Sequence, residues 1–442
     1  MLSVEISAAM PVPVSVTTTR AGPSGAPSRG MAHVLPTGRN FYTVDPRGLP
    51  TPAAWTTGAA LADAALRRYS DEVGRLPESV ALSVWGTPTM RTGGDEIAQA
   101  LALLGVRPVW DPVTRRTRGI EVIPIFELNR PRIDITLRIS GFFRDAFPAL
   151  VQLFDEAVRR VIMLDEPVEQ NFPRKHWLAE TAALVGEGLD MDAATRRASY
   201  RVFSSKTGAY GTGVMELIEN RSWREAHDLA DVVLTWGGWA YGVDATNGVE
   251  AADAFRRQVA AVELALHNRD NREQDLFDSS DHFEYHGGLV AAVVSLSGKQ
   301  PRAYVGDSSD PARPDVRTLN GEALRVFRSR VVNPKWLAGV QRHGYRGGVE
   351  MAATVDSIFG FAATAGIVTD WMFEAVAEKF AMGAGRDFLE RSNPWALNAI
   401  AERLLEAEQR QLWTAKSETL DAVRSVLLTS EAAIEEHAEG YT

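Results

Sequence analysis

Histidine, carboxylate and arginine side chains cluster at a few places along the chain, and each cluster suggests a chemistry. The densest is Asp281-His282-Phe283-Glu284-Tyr285-His286-Gly287-Gly288. On a helix, His282 and His286 stand four residues apart on one face, a spacing that presents two imidazoles to one divalent cation. Glu284 and the imidazoles also suit proton transfer. Gly287 and Gly288 argue that the helix stops there, and the plainer alternative is a helix start with solvated or hydrogen-bonded rings. A second candidate is His343-Gly344-Tyr345-Arg346-Gly347-Gly348, where a histidine between flexible glycines can sit against a ligand with its ring exposed. The competing reading is an ordinary loop between two helices.

Ser199-Tyr200-Arg201-Val202-Phe203-Ser204-Ser205-Lys206 alternates cations with aromatic and small residues, so Arg201 and Lys206 could hold the carboxylates of an anionic ligand or simply be surface charges on a strand. Arg91, in Met90-Arg91-Thr92-Gly93-Gly94-Asp95, lies between a predicted strand and helix, where an open sheet exposes anion-binding loops. The aromatics of Trp236-Gly237-Gly238-Trp239-Ala240-Tyr241 suit a core first and a large flat ligand second. No phosphate cradle is present: Gly298-Lys299 has Val293 where the first glycine belongs and Gln300 where a hydroxyl belongs.

Composition narrows the chemistry. The 442 residues carry a net charge of −10, which disfavours nucleic acid as a partner. There is no cysteine, so disulfides, thiolate metal sites and a cysteine nucleophile are excluded, and any metal must meet His, Asp, Glu or backbone oxygen. No apolar run is long enough for a membrane span, and the N-terminus makes a poor secretory signal, so a cytoplasmic location is expected.

The elements that must position these residues read as an α/β region followed by a mainly helical α+β region. Residues 1–32 form a Pro-, Ser- and Thr-rich leader or linker without periodicity. The α/β domain is expected over 33–165. Its predicted strands are Ser79–Trp85, Val106–Trp110, Gly119–Ile125 and Arg132–Ile139, and its predicted helices Asp63–Tyr69 and Asp95–Leu104. Over 166–442, helix is expected from Thr246 as cap through Val249, Ala252, Phe255, Val259, Val262 and Leu266, whose spacings of three and four mark one buried face. Further helices are expected near Arg317–Arg330, Met351–Ala365, Trp395–Leu412 and Ser417–Glu436.

Together, VLPTGRNFYTVDPR, VWGTPTMRTGGDEIAQALALLGVRPVWD, SYRVFSSKTGAYGTGV, TWGGWAYG, HFEYHGGL, Asn333-Pro334-Lys335-Trp336 and Arg342-His343-Gly344-Tyr345 resemble the C-terminal part of the cobaltochelatase large subunit, CobN, in the same order over about residues 33–415. The large subunit of the related magnesium chelatases shares several of these signatures but lacks the segment matched by His282–Gly288, so the resemblance favours cobalt. It implies ATP-dependent insertion of Co(II) into hydrogenobyrinic acid a,c-diamide during aerobic cobalamin synthesis, with ATP and Mg bound by AAA+ ATPase subunits of the CobS and CobT type. Under it, His343, Glu284 and His286 become catalytic candidates. His282, His286 and His343 become metal ligands, and Arg201, Lys206, Arg91 and Tyr345 contacts to the tetrapyrrole. A magnesium chelatase-like activity, or a non-catalytic tetrapyrrole- or metal-binding protein, is the alternative. The family's large subunit is much longer. The chain therefore reads as a C-terminal portion: an incomplete gene product, half of a split subunit, or a fragment that depends on an N-terminal piece supplied separately.

Overall fold

The computed structural model describes residues 44–272 and 274–439; the expected leader and the Gly38-Arg39-Asn40 motif lie outside them. Among the described residues, ten strands form in chain order: β1 (Ser79–Val84), β2 (Val106–Trp110), β3 (Thr117–Val122), β4 (Asp134–Ile139), β5 (Val202–Ser204), β6 (Trp239–Gly242), β7 (Ala245–Glu250), β8 (Leu264–Arg269), β9 (Arg302–Asp307) and β10 (Asp315–Thr318). Eight build one sheet in the order β10-β9-β8-β1-β4-β5-β6-β7, and β2 and β3 make a separate hairpin. The five central strands run parallel, and antiparallel strands extend the sheet on both sides. Every residue of β1, β4 and β8 is buried, as expected of parallel strands covered on both faces. The sheet takes β1 and β4 from before residue 165 and its other strands from after it, so one layer joins the two regions separated in the sequence.

Alternation along β1 divides the interior. Val80, Leu82 and Val84, with Leu137 and Leu266, face a core completed by helices Pro52–Val73, Asp95–Leu104 and Pro148–Ile162. Ala81, Ala265 and Phe203 face the other way, toward helices Ala226–Trp236, Gly288–Ser297 and Tyr345–Thr364. Helices Pro394–Gln409 and Ser417–Glu439 complete that larger helical body. Among the described residues, no helix is long and apolar enough to cross a membrane.

The single helix expected from Thr246 to Leu266 does not form. That stretch is β7, helix Ala252–Ala260 and β8. Helical spacing holds only from Ala252 to Val259. Val249 is 38% exposed, and Leu264 to Leu266 are buried consecutively because β8 is a central strand. A continuous apolar run of that kind is common to buried strands and buried helices.

The expected stop at Gly287-Gly288 does not occur either. His282–Gly287 is a π-helical turn that continues directly into helix Gly288–Ser297. Both glycines are needed for packing: a Cβ at 287 would strike the Thr364 hydroxyl, and one at 288 would stand 2.8 Å from Val233. The same interface has Gly360 beneath the Phe283 ring, where a Cβ would lie 2.5 Å from ring carbons. Gly360→Ala is therefore expected to destabilise the protein by about 1–3 kcal/mol through overpacking. Thermal melts check this; a melting temperature equal to that of the parent would mean that the π-turn has room to shift.

Candidate active site

A cleft of about 430 Å³ opens where the chain leaves the C-terminal ends of β1, β4 and β8. Chain order runs from β1 outward to β4 and β5 on one side and returns to β8 and β9 on the other, which makes β1 the switch point where open parallel sheets bind ligands. Trp85, Ser140 and Asp270, each one residue past its strand, line the cleft, together with Arg91, His282 and Tyr285.

Below the cleft a polar row crosses the sheet. Ser83 on β1 pairs in register with His267 on β8 and with Arg138 on β4, so the three side chains share the face turned toward the helical body. The π-turn packs against this row. The His267 ring lies 5.1 Å from that of His282 and 5.8 Å from that of His286, centroid to centroid. Trp85 closes the group, 4.4 Å from His267 and 4.9 Å from His282. The Arg138 guanidinium stands 5.3 Å from the centre of the Tyr285 ring.

All three imidazoles are buried, and burial determines their charge. It holds His267 down at about 4 and His286 at about 3. His282 is pushed well below the ordinary value, first by burial and then by repulsion from His267 and His286. The rings are therefore neutral at pH 7, each with a basic nitrogen lone pair. Among the described residues, both ring nitrogens of His267 and of His286, Nδ1 of His282, the Ser83 hydroxyl, and Nε and Nη2 of Arg138 have no hydrogen-bond partner. His267 approaches the Ser83 backbone without forming a bond of ordinary geometry. Buried polar atoms are nearly always partnered, so such a concentration of orphans points to a site that works on something else. Its available chemistry is transient ligation of a cation. Among the described residues, no three His, Asp or Glu side chains are posed around one cation as they stand.

The residues singled out in the sequence have different positions. His282 and His286 share a face, as expected, and meet on His267. Glu284 is buried beside them, but its carboxylate accepts a hydrogen bond from the Thr212 hydroxyl at 3.0 Å; burial raises its pKa against that bond. Arg91 lines the cleft and is held by Asp270, Nε to Oδ2 at 2.6 Å and Nη2 to Oδ1 at 2.8 Å.

Arg201 is not available to a ligand. It is buried at the opposite end of β4, donating to both Asp134 oxygens at 2.7 and 3.1 Å, while His176 Nδ1 lies 2.8 Å from the same carboxylate. Burial alone would raise the Asp134 pKa, yet Arg201 and His176 hold it down at about 2. Lys206 is exposed after β5, its ammonium 5.2 Å from the Trp239 ring centre. His343 and Tyr345 are exposed at the N-terminal end of helix Tyr345–Thr364. Gly360 of that helix touches the π-turn through Phe283, so 15 residues, about 22 Å of helix, separate Tyr345 from the imidazoles. His343 thus cannot share a cation with His282 and His286 in this arrangement. Trp223 and Tyr241 are buried in the core, and the Tyr241 hydroxyl donates to the Ser205 carbonyl at 2.7 Å.

The family model for CobN/magnesium chelatase matches residues 15–420. The chain belongs to that family. It is 50% identical to the aerobic cobaltochelatase subunit CobN of a Sinorhizobium species, over 90% of this chain and 31% of that protein. A magnesium-chelatase large subunit (type H) of Cereibacter sphaeroides is 36% identical over 88% of this chain and 32% of its own length. Among solved structures, the catalytic subunit of cobaltochelatase from Mycobacterium tuberculosis superimposes with a TM-score of 0.88 at 54% identity, covering 93% of this chain and 34% of that one. The chain spans about a third of the length of the curated CobN relatives it matches.

In this CobN/magnesium chelatase member, sequence reasoning missed His267, Ser83, Arg138 and Trp85. The available signal was the polar run His267-Asn268-Arg269-Asp270-Asn271 following buried apolar residues, the pattern of a central strand emptying into a site. Burial of the neutral rings has a consequence for pH. The unfolded chain binds protons near ~6.5, whereas folded His267 resists until about 4 and His286 until about 3, so their contribution is full above ~6.5 and is lost as pH falls toward those values. Asp134, depressed to about 2, keeps its full contribution above its ordinary value of 3.8 and so adds nothing to the pH dependence between 7 and 4.5. Without added cation, the stability of the parent relative to His267→Leu should fall from pH 7 to 4.5, because only the parent carries the His267 ring that resists protonation when folded. Denaturant titrations at fixed pH check this, and parallel curves for the two proteins would contradict it.

Proposed function

We propose that this chain is the metal-inserting C-terminal third of a cobaltochelatase large subunit, acting on Co(II) and hydrogenobyrinic acid a,c-diamide. The observation that carries the reading is the set of three neutral, unpartnered imidazoles, His267, His282 and His286, beneath a cleft at the switch point of a parallel sheet. Similarity to proteins named as CobN subunits supplies the reaction.

Insertion has two demands. The cation must exchange water for nitrogen donors, and each ring N–H that is replaced by a metal–nitrogen bond must give up its proton. Neutral imidazoles meet the first as successive ligands to the arriving Co(II), and Glu284, whose pKa burial raises, meets the second as acceptor of the released protons. His282, at the cleft wall, is the first to meet the cation; His267 and His286 lie behind it. Imidazole nitrogen favours Co(II) over Mg(II), which prefers oxygen ligands. Asp270 fixes Arg91 beside the entrance, where the guanidinium can meet a peripheral carboxylate or amide of the substrate. ATP hydrolysis and its Mg belong to separate AAA+ subunits of the CobS and CobT type, with the remaining large-subunit portion supplied as another piece. The assembly works in the cytoplasm.

The test combines this chain with the missing large-subunit portion, the ATPase subunits, ATP, Co(II) and the diamide, and follows the absorbance change of metal insertion. His267→Phe and His286→Phe are expected to lower the rate at least 100-fold with a smaller effect on thermal stability. Unchanged rates in both variants, or insertion of magnesium into protoporphyrin in place of cobalt insertion, would reject the reading.

A further inference from the structure

Two aromatic rings in the wall of the cleft have no role in metal capture. Phe142 is 44% exposed and Tyr210 is 60% exposed, and both line the same concavity. A single exposed aromatic is unremarkable on a protein surface, but two within one cleft are a ligand-facing feature.

Both rings are also held from behind. Phe142 is the second residue of helix Gly141–Ala146, which the Ser140 hydroxyl caps by accepting from Phe143 N–H at 3.1 Å. Its ring lies over Gly86, where any Cβ would collide with the ring edge. The Tyr210 ring lies over Gly141, where a Cβ would stand 2.7 Å from Cδ1. The Tyr210 hydroxyl donates to Asp145 at 2.7 Å, and the Arg144 guanidinium, 5.6 Å from the ring centre, also donates to the Ala209 carbonyl at 3.2 Å. Glycines thus give each ring its seat, and polar contacts fix Tyr210 despite its exposure. Rigid, solvent-facing aromatic surface carries little ordering cost when a ligand covers it.

We propose that Phe142 and Tyr210 form an aromatic platform against which the tetrapyrrole macrocycle rests over the entrance to the imidazoles. This rests on the chelatase reading and deepens it. The platform fixes macrocycle orientation, while the histidines capture the cation, so the two functions are separable by mutation.

The test titrates the full chain with metal-free hydrogenobyrinic acid a,c-diamide and follows its absorbance and tryptophan quenching. Phe142→Ala and Tyr210→Ala should each weaken binding about 5- to 20-fold, the scale of one lost stacking contact. Phe142→Tyr, which keeps a ring, should stay close to the parent. Gly86→Ala, which displaces the Phe142 ring without removing it, should resemble Phe142→Ala. Co(II) affinity and melting temperature, measured in parallel, should hold in the alanine variants, a pattern that general loss of structure would not give. Parent-like affinity for the diamide in both alanine variants would overturn the platform and leave the chelatase reading standing. Failure of the parent chain to bind the diamide would overturn both.

Discussion

Imidazole nitrogens taken out of water need a partner, and His267, His282 and His286 are deprived of one by the packing of a π-turn onto a parallel sheet. The cost is tolerated because the rings stay neutral, so no net charge is buried, and because Trp85 and the neighbouring rings supply aromatic contact. Much of the surrounding construction serves this packing. Gly287, Gly288 and Gly360 let helix Tyr345–Thr364 and helix Ala226–Trp236 press the π-turn down. The small Ala81 and Ala265 of the sheet leave space on the same face. A π-turn, uncommon in itself, is characteristic of helices adjusted to place functional side chains.

Charge is divided between the two ends of the sheet. At the cleft end, Arg91 and Asp270 form a partly exposed pair that a ligand can approach. At the other end, Asp134, Arg201 and His176 form a closed ionic group tying β4 to the segment before β5 and to helix Phe172–Gly186. Removing Arg201 would strand a buried carboxylate, a change that costs about 3–5 kcal/mol, so its importance is structural. Arginine and aspartate look alike in sequence at both places; only the end of the strand on which they sit separates a pair that lines the cleft from one that is sealed inside.

Much of the fold was legible. Strands at Ser79, Val106 and Asp134 and helix Asp95–Leu104 follow from short apolar runs between turn signals. The segment from Thr246 to Leu266 was not, because helix Ala252–Ala260 joins two strands with almost no polar punctuation and central-strand residues show no alternation. That error hid His267, since a histidine just past the end of an expected helix gives no reason to place it opposite His282. His343 failed for a different reason: a His-Gly-Tyr loop identifies a chain segment, but a 20-residue helix carries it away from the π-turn.

The sequence by itself determined the family, the donor chemistry and one half of the imidazole pair logic. Without cysteine, nitrogen and oxygen ligands were all that remained, and the four-residue spacing put His282 and His286 on one face. Tertiary structure decided the rest: that their partner is His267, that Arg201 is sealed away, and that Phe142 and Tyr210 face the cleft. Those assignments depend on which parallel strands are neighbours and where each ends. Pairing of β1 with β8, which lie far apart in the chain, is set by packing over the whole sheet, and no local pattern encodes it.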